Sequence, residues 1–291
     1  MIFRGTFTAL ATPFNPDGPD YHAIRRLVDH QIENGVEGLL ACGCTGEPSS
    51  MSEAERLRVM ETVVDAAGGR TPVLGGTGTN CTESTVRFTI EALKTGIDGV
   101  LVITPYYNKP TPAGQIAHFS RAADASSKPL MIYNVPGRTG TNMTVETITT
   151  LAQHPNVQAL KDAAGSVERV TEIRRACGIA VLSGDDHLAL AQVLMGASGV
   201  VSVTSNVAPA AMGEMIRQGL EGRVETARRL HEVLFPLFRA LFVETNPAPV
   251  KKALQLLGLF SDPSPRLPLV PVQESTALLL GRVMKDVGLL S

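Results

Sequence analysis

Val157-Gln158-Ala159-Leu160-Lys161 is a short apolar run closed by a lysine. A continuous apolar run of this length suits a strand covered on both faces, as in a parallel sheet. Seven similar runs lie along the chain, at residues 6–12, 38–42, 72–75, 99–103, 130–133, 180–183 and 199–203. Eight strand-like runs within about 220 residues, each followed by a helical pattern, fit a (β/α)8 TIM barrel. A doubly wound open sheet competes, but it usually has fewer strands and would want a Gly-rich dinucleotide turn.

The segments between the runs carry helix signals. Residues 21–34 place Ile24, Leu27, Val28 and Ile32 on one face, with Asp20 as N-cap and Gly35 as the stop. Ser52-Glu53-Ala54-Glu55 reads as a capping box. Thr82 can cap a helix ending at Gly96, and Asp186 can cap a run to Met195. Pro112, Thr144 and Ser166 stand where further helices should begin. The division expected is residues 1–222 as a barrel that carries the active site and residues 223–291 as a C-terminal helical region. In the latter, helical runs at 223–242 and 249–257 precede a Pro-rich stretch and a last helix near 274–287.

Composition narrows the function classes. Hydrophobic residues make up 44% of the 291-residue chain and charged residues 19%, the profile of a folded globular protein. A net charge of −2 argues against a nucleic-acid surface, which needs a clustered basic face. No window of about 18 apolar residues exists, so no membrane span is expected. Met1 to Gly5 runs into the first strand without an export signal, so a cytoplasmic location is expected. The four cysteines, Cys42, Cys44, Cys81 and Cys177, are too few for a disulfide framework. The six histidines show no metal-ligand spacing.

In a barrel of this kind the chemistry sits at the C-terminal ends of the strands. Those ends hold Gly43-Cys44-Thr45-Gly46-Glu47, Tyr106-Tyr107-Asn108, Tyr133-Asn134-Val135-Pro136-Gly137-Arg138, Lys161, Gly184-Asp185-Asp186 and residues 202–206. Burial disfavours an ammonium, lowers its pKa and frees the amine as a nucleophile that forms a Schiff base with a ketone. Phenols can move protons where no histidine stands, and a guanidinium can fork onto a carboxylate. This set suits carbon–carbon bond formation through a lysine imine on a carboxylated substrate. Blander readings stand beside each residue: a strand-exit lysine, packing tyrosines, a solvated Arg138, a helix-capping Asp185-Asp186 pair. A phosphate-binding barrel fits poorly, because the two aspartates after the seventh strand would repel phosphate. A non-catalytic binding barrel is the other competitor, and the pairing of Lys161 with Tyr133 argues against it.

Taken together these strings resemble the dihydrodipicolinate synthase family, within the N-acetylneuraminate lyase superfamily of pyruvate-dependent class I aldolases. The resemblance extends over essentially the whole chain. It implies that Lys161 forms an imine with pyruvate and that the derived enamine attacks aspartate 4-semialdehyde, giving 4-hydroxy-tetrahydrodipicolinate for lysine and diaminopimelate synthesis. It implies Tyr133 as the proton donor and acceptor, Thr45 on the pyruvate carboxylate and Arg138 on the semialdehyde carboxylate. Gly184 and Val201 would give backbone contacts, and Tyr107 would reach into the site of a neighbouring subunit of a homotetramer, a dimer of dimers. No cofactor is implied, because the lysine imine is the electron sink.

Two departures from the family pattern stand out. Cys44 occupies a position where the family usually has a threonine that bridges the two relay tyrosines, and a thiol is a weak donor and acceptor. Cys44 therefore signals either a slower relay or another aldolase of the superfamily acting on a sugar acid or other 2-oxo acid. Lysine-inhibited members carry histidine at the positions of Glu53 and Arg56 and glutamate at that of Ser84, whereas Asn80 and Tyr106 match. Weak or absent inhibition by lysine is the expectation.

Overall fold

The computed structural model describes residues 2–291; Met1, part of the N-terminal segment read above, lies outside the described residues. Eight parallel strands close into a barrel: β1 Gly5–Ala9, β2 Gly38–Ala41, β3 Val73–Gly76, β4 Gly99–Ile103, β5 Leu130–Asn134, β6 Val157–Asp162, β7 Ala180–Ser183 and β8 Gly199–Ser202. Each pairs with the next, and β8 returns to β1 in the register Gly5↔Gly199. Every apolar run named above falls on one of these strands. The first run outlasts its strand, because Ala11 and Thr12 are buried by loop contacts: Ala11 N donates to Asn206 Oδ1 at 3.1 Å and Thr12 Oγ1 to the Gly46 carbonyl at 2.9 Å. A short hairpin of Phe14–Asn15 against Gly18–Pro19, unexpected from the sequence, follows.

Side chains alternate between an inner and an outer apolar layer. Phe7, Leu40, Leu74, Leu101, Met131, Ala159, Leu182 and Val201 belong to the inner cluster. Leu39, Val73, Val100, Ile132, Leu160 and Val200 belong to the outer one, where the helices pack. Both faces are covered, so the strands read as continuous apolar runs. On β6 the alternation is reset. Leu130 pairs with Val157 but Met131 pairs with Ala159, a bulge that leaves Gln158 exposed. Beyond it Ala159 and Lys161 point inward, and Lys161 lies in register with Tyr133 of β5.

The barrel helices are α1 Tyr21–Glu33, α2 Glu53–Ala67, α3 Thr82–Leu93, α4 Pro112–Asp124, α5 Val145–Leu151, α6 Glu168–Ala176, α7 Asp186–Leu194 and α8 Pro209–Leu220. Asp20 accepts from the His22 and Ala23 amides, and the Ser52–Glu55 capping box closes in both directions. Such a cap stabilises a helix by about 1 kcal/mol. Two expected caps differ. The residue before α3 is Cys81, without a side-chain cap, because the Thr82 hydroxyl is engaged by His118 Nδ1 at 3.0 Å. Asp186 is the first residue of α7 and caps a different turn: its Oδ2 accepts from the Val203 and Thr204 amides at 3.1 and 2.7 Å and from the Thr204 hydroxyl at 2.7 Å.

Three helices follow: α9 Val224–Ala240, α10 Ala248–Leu256 and α11 Glu274–Asp286. Their apolar stripes, including Leu234, Leu237, Leu254 and Leu280, join the outer barrel core. No helix among the described residues is long and apolar enough to cross a membrane.

Candidate active site

Lys161 and Tyr133 are neighbours on adjacent strands, and the inward phase of both sends them to the barrel mouth. They are 5% and 4% exposed, and the Lys161 Nζ stands 4.2 Å from the centroid of the Tyr133 ring. Among the described residues no carboxylate forms an ion pair with this amine. Burial, the largest influence, pushes Lys161 below the ordinary lysine range, against the pull of Cys44, Asp186 and Asp185. Burial likewise pushes Tyr133 well above the ordinary phenol range, with Cys44 adding to it and Arg138 opposing. The resting pair is therefore biased toward a free amine beside a protonated phenol, which is the pairing an imine-forming site needs.

Cys44 lies on the one-turn helix Cys44–Gly46 after β2, close enough to Tyr133 to add to the upward push on its phenol. With Tyr133, Arg138, Ile103, Tyr106 and Arg56 it helps line a cavity of about 460 Å³. Lys161 is not one of the lining residues and stands against Tyr133, which is. Gly184 explains how the lysine stem fits: a Cβ there would stand 2.7 Å from Ala163 Cβ and 3.2 Å from Lys161 Cε. Val201 sits on β8, opposite Phe7 of β1 and fully buried.

The carboxylate-binding candidates converge from separate loops. Thr45 is buried next to Cys44, and its Oγ1 accepts from Asn246 Nδ2 at 3.1 Å. Arg138, on the turn Pro136–Thr139 after β5, donates from Nη2 to the Asn246 carbonyl at 3.2 Å. Thr139 braces that turn by donating to the Val135 carbonyl at 3.1 Å. Tyr107 is placed apart from this group. It is 90% exposed at φ +72°, a conformation that bulky residues rarely adopt, and it does not line the cavity.

Sequence reading missed the supports of this rim. Asn246, Lys251 and Arg266 come from the C-terminal segment, which looked like an appendage. Glu47 is buried at φ +54°, and its two carboxylate oxygens accept from Lys251 Nζ at 2.8 Å and from the Arg266 amide at 2.9 Å. The only local signal was a glutamate directly after a glycine turn.

The barrel fold recurs in known proteins. The model of the Dihydrodipicolinate synthetase family matches residues 2–287. The chain belongs to that family. Among curated members of the dihydrodipicolinate synthetase family, the 4-hydroxy-tetrahydrodipicolinate synthase of Pelobacter propionicus is 43% identical over 99% of this chain and 100% of its own. Dihydrodipicolinate synthase from Thermotoga maritima superposes with a TM-score of 0.97 at 41% identity, covering 100% of both chains. A further solved relative, described as the first monomeric dihydrodipicolinate synthase variant, is 41% identical with a TM-score of 0.97, covering 99% of this chain and 98% of that one.

Proposed function

We propose that this chain is a lyase that condenses pyruvate with aspartate 4-semialdehyde, giving 4-hydroxy-tetrahydrodipicolinate on the route to diaminopimelate and lysine. The observation that carries the reading is Lys161, buried, without an ion pair among the described residues, and standing over Tyr133. Family membership and the names of its relatives support the same reaction.

The neutral Lys161 amine attacks the ketone carbon of pyruvate, and loss of water leaves the imine. Removal of a methyl proton gives the enamine, whose carbon attacks the semialdehyde; the amino group of the semialdehyde then adds to the re-formed imine carbon and displaces the Lys161 amine, which closes the ring and frees the product. Tyr133, protonated at rest, supplies the proton needed for loss of water and takes protons back in later steps. Thr45 holds the pyruvate carboxylate, with Gly184 and Val201 giving backbone contacts along its flank. Arg138 holds the semialdehyde carboxylate. Cys44 passes protons between Tyr133 and Tyr107 of a neighbouring subunit; the exposure of Tyr107 supports that crossing and, with it, a homotetramer built as a dimer of dimers. The enzyme works in the cytoplasm on this reading.

Cys44 favours one second reading, an aldolase that takes pyruvate and a different aldehyde. A coupled assay with a reductase and its nicotinamide cofactor separates the two. Turnover with aspartate 4-semialdehyde supports the first. A borohydride-trapped pyruvate adduct on Lys161 without such turnover gives the second, and no adduct overturns both.

A further inference from the structure

Thr45 is tied to the C-terminal segment at one atom, and the direction of that hydrogen bond matters. A hydroxyl has one proton and two lone pairs, whereas a carboxylate only accepts. Asn246 Nδ2 donates to Thr45 Oγ1 at 3.1 Å, with its Oδ1 buried and without a partner among the described residues. That donation occupies a lone pair and leaves the hydroxyl proton for another acceptor. If the amide oxygen faced Thr45 instead, the hydroxyl would spend its proton on Asn246 and present only lone pairs to a carboxylate.

Asn246 is well held for such a task. It is 5% exposed, and its own carbonyl accepts from Arg138 Nη2 at 3.2 Å. One residue thus touches both groups assigned above to substrate carboxylates. The turn carrying Thr45 is held again two residues on, where buried Glu47 meets Lys251 at 2.8 Å and the Arg266 amide at 2.9 Å. Arg266 is itself fixed by Glu55 at 2.6 Å. The approach of Asn246 to Thr45 is therefore set by packed elements on both sides.

We propose that Asn246 is a positioning residue of the pyruvate site: its side-chain amide makes Thr45 a hydrogen-bond donor to the pyruvate carboxylate, and its backbone oxygen orients Arg138 for the second carboxylate. This rests on the lysine-imine reading above. Asn246 touches neither substrate; it acts through the two residues that do.

Asn246→Asp keeps the shape of the side chain but replaces the donor with an acceptor. The hydroxyl of Thr45 then turns to the new carboxylate, and KM for pyruvate rises about tenfold, the worth of one hydrogen bond to a charged group. Asn246→Leu removes the donor without adding an acceptor, so KM rises only about two- to threefold. Thr45→Val raises KM about tenfold, and Asn246→Asp added to it raises KM by less than its effect alone. The order Asp above Leu in KM, with kcat changed less than KM, is the signature that a merely structural role does not give. KM in Asn246→Asp within twofold of the parent, while Thr45→Val raises it, overturns the proposal, as does Asn246→Leu being the worse of the two. Thr45→Val without effect on pyruvate instead defeats the assignment of Thr45 and leaves the imine chemistry to the trapping experiment. If the Asp variant does not fold, Asn246→Leu decides: a kcat loss with unchanged KM overturns the proposal.

Discussion

Lys161 and Lys251 are both buried, at 5% and 0% exposure, and each stands over an aromatic ring, at 4.2 Å from Tyr133 and 4.3 Å from Phe14. Burial depresses the pKa of both. Their partners differ. Lys251 meets the Glu47 carboxylate at 2.8 Å, which opposes that shift and makes it a fastener between α10 and the turn after β2. Lys161 forms no ion pair among the described residues, and Cys44, Asp186 and Asp185 offset its desolvation only in part. Equal burial thus accompanies a salt bridge in one region and the proposed nucleophile in the other, and the counter-ion is what differs.

The most severe way to break this contrast is to remove each amine. Lys161→Ala should lower turnover by at least about 10⁴-fold and abolish borohydride trapping, with the melting temperature little changed. Lys251→Met should do the reverse at first order: it strands the Glu47 carboxylate in the interior and costs about 3–5 kcal/mol, read as a lower denaturation midpoint. The double variant Glu47→Leu/Lys251→Met should recover part of that loss, since no charge is left buried. A Lys251→Met protein as stable as the parent would show that the pair contributes nothing.

Acidity sharpens the contrast further. Only the deprotonated amine attacks pyruvate, and burial lowers the Lys161 pKa, so the deprotonated fraction saturates at lower pH than in a free lysine. The rate of adduct formation should rise with pH and level off below the usual lysine value of about 10.4. A trapping rate still climbing through that value would mean that Lys161 is an ordinary ammonium.

A smaller effect is expected from the thiol beside the reactive amine. Cys44→Thr supplies a better donor and acceptor, and kcat should rise by a factor of about three to ten if proton relay limits the rate. An unchanged kcat sinks the slow-relay account. The smallest effect concerns a third buried basic residue, Arg56, 7% exposed and stacked 3.8 Å from the Phe88 ring centroid. Its guanidinium opposes an ammonium ligand at the position where lysine-inhibited members carry histidine, so added lysine should barely slow the enzyme. Strong inhibition at submillimolar lysine would contradict this.

The barrel was legible because each strand is buried on both faces and each helix carries its own start signal, as at Asp20 and Ser52. The short rim list followed from one rule about strand ends, which placed Lys161, Tyr133, Cys44, Thr45 and Arg138 on the same mouth. What stayed hidden was long-range. Asn246 lies 201 residues from Thr45, and Lys251 lies 204 from Glu47, so no local period or cap could pair them. Thr82 and Asp186 failed as caps for the same reason: each side chain was drawn to a partner on another element, His118 and the turn after β8.

The bulge at Gln158 has a consequence for how the reactive lysine is aimed. Strict alternation counted upward from Val157, which faces the outer layer, would turn Lys161 outward among the helices. The extra residue cancels that parity error, so the orientation of the amine is calibrated from the rim and its pairing with Tyr133, independently of the foot of the strand. The foot and the rim of β6 thus keep opposite parities on one strand, with Val157 among the helices and Lys161 at the mouth.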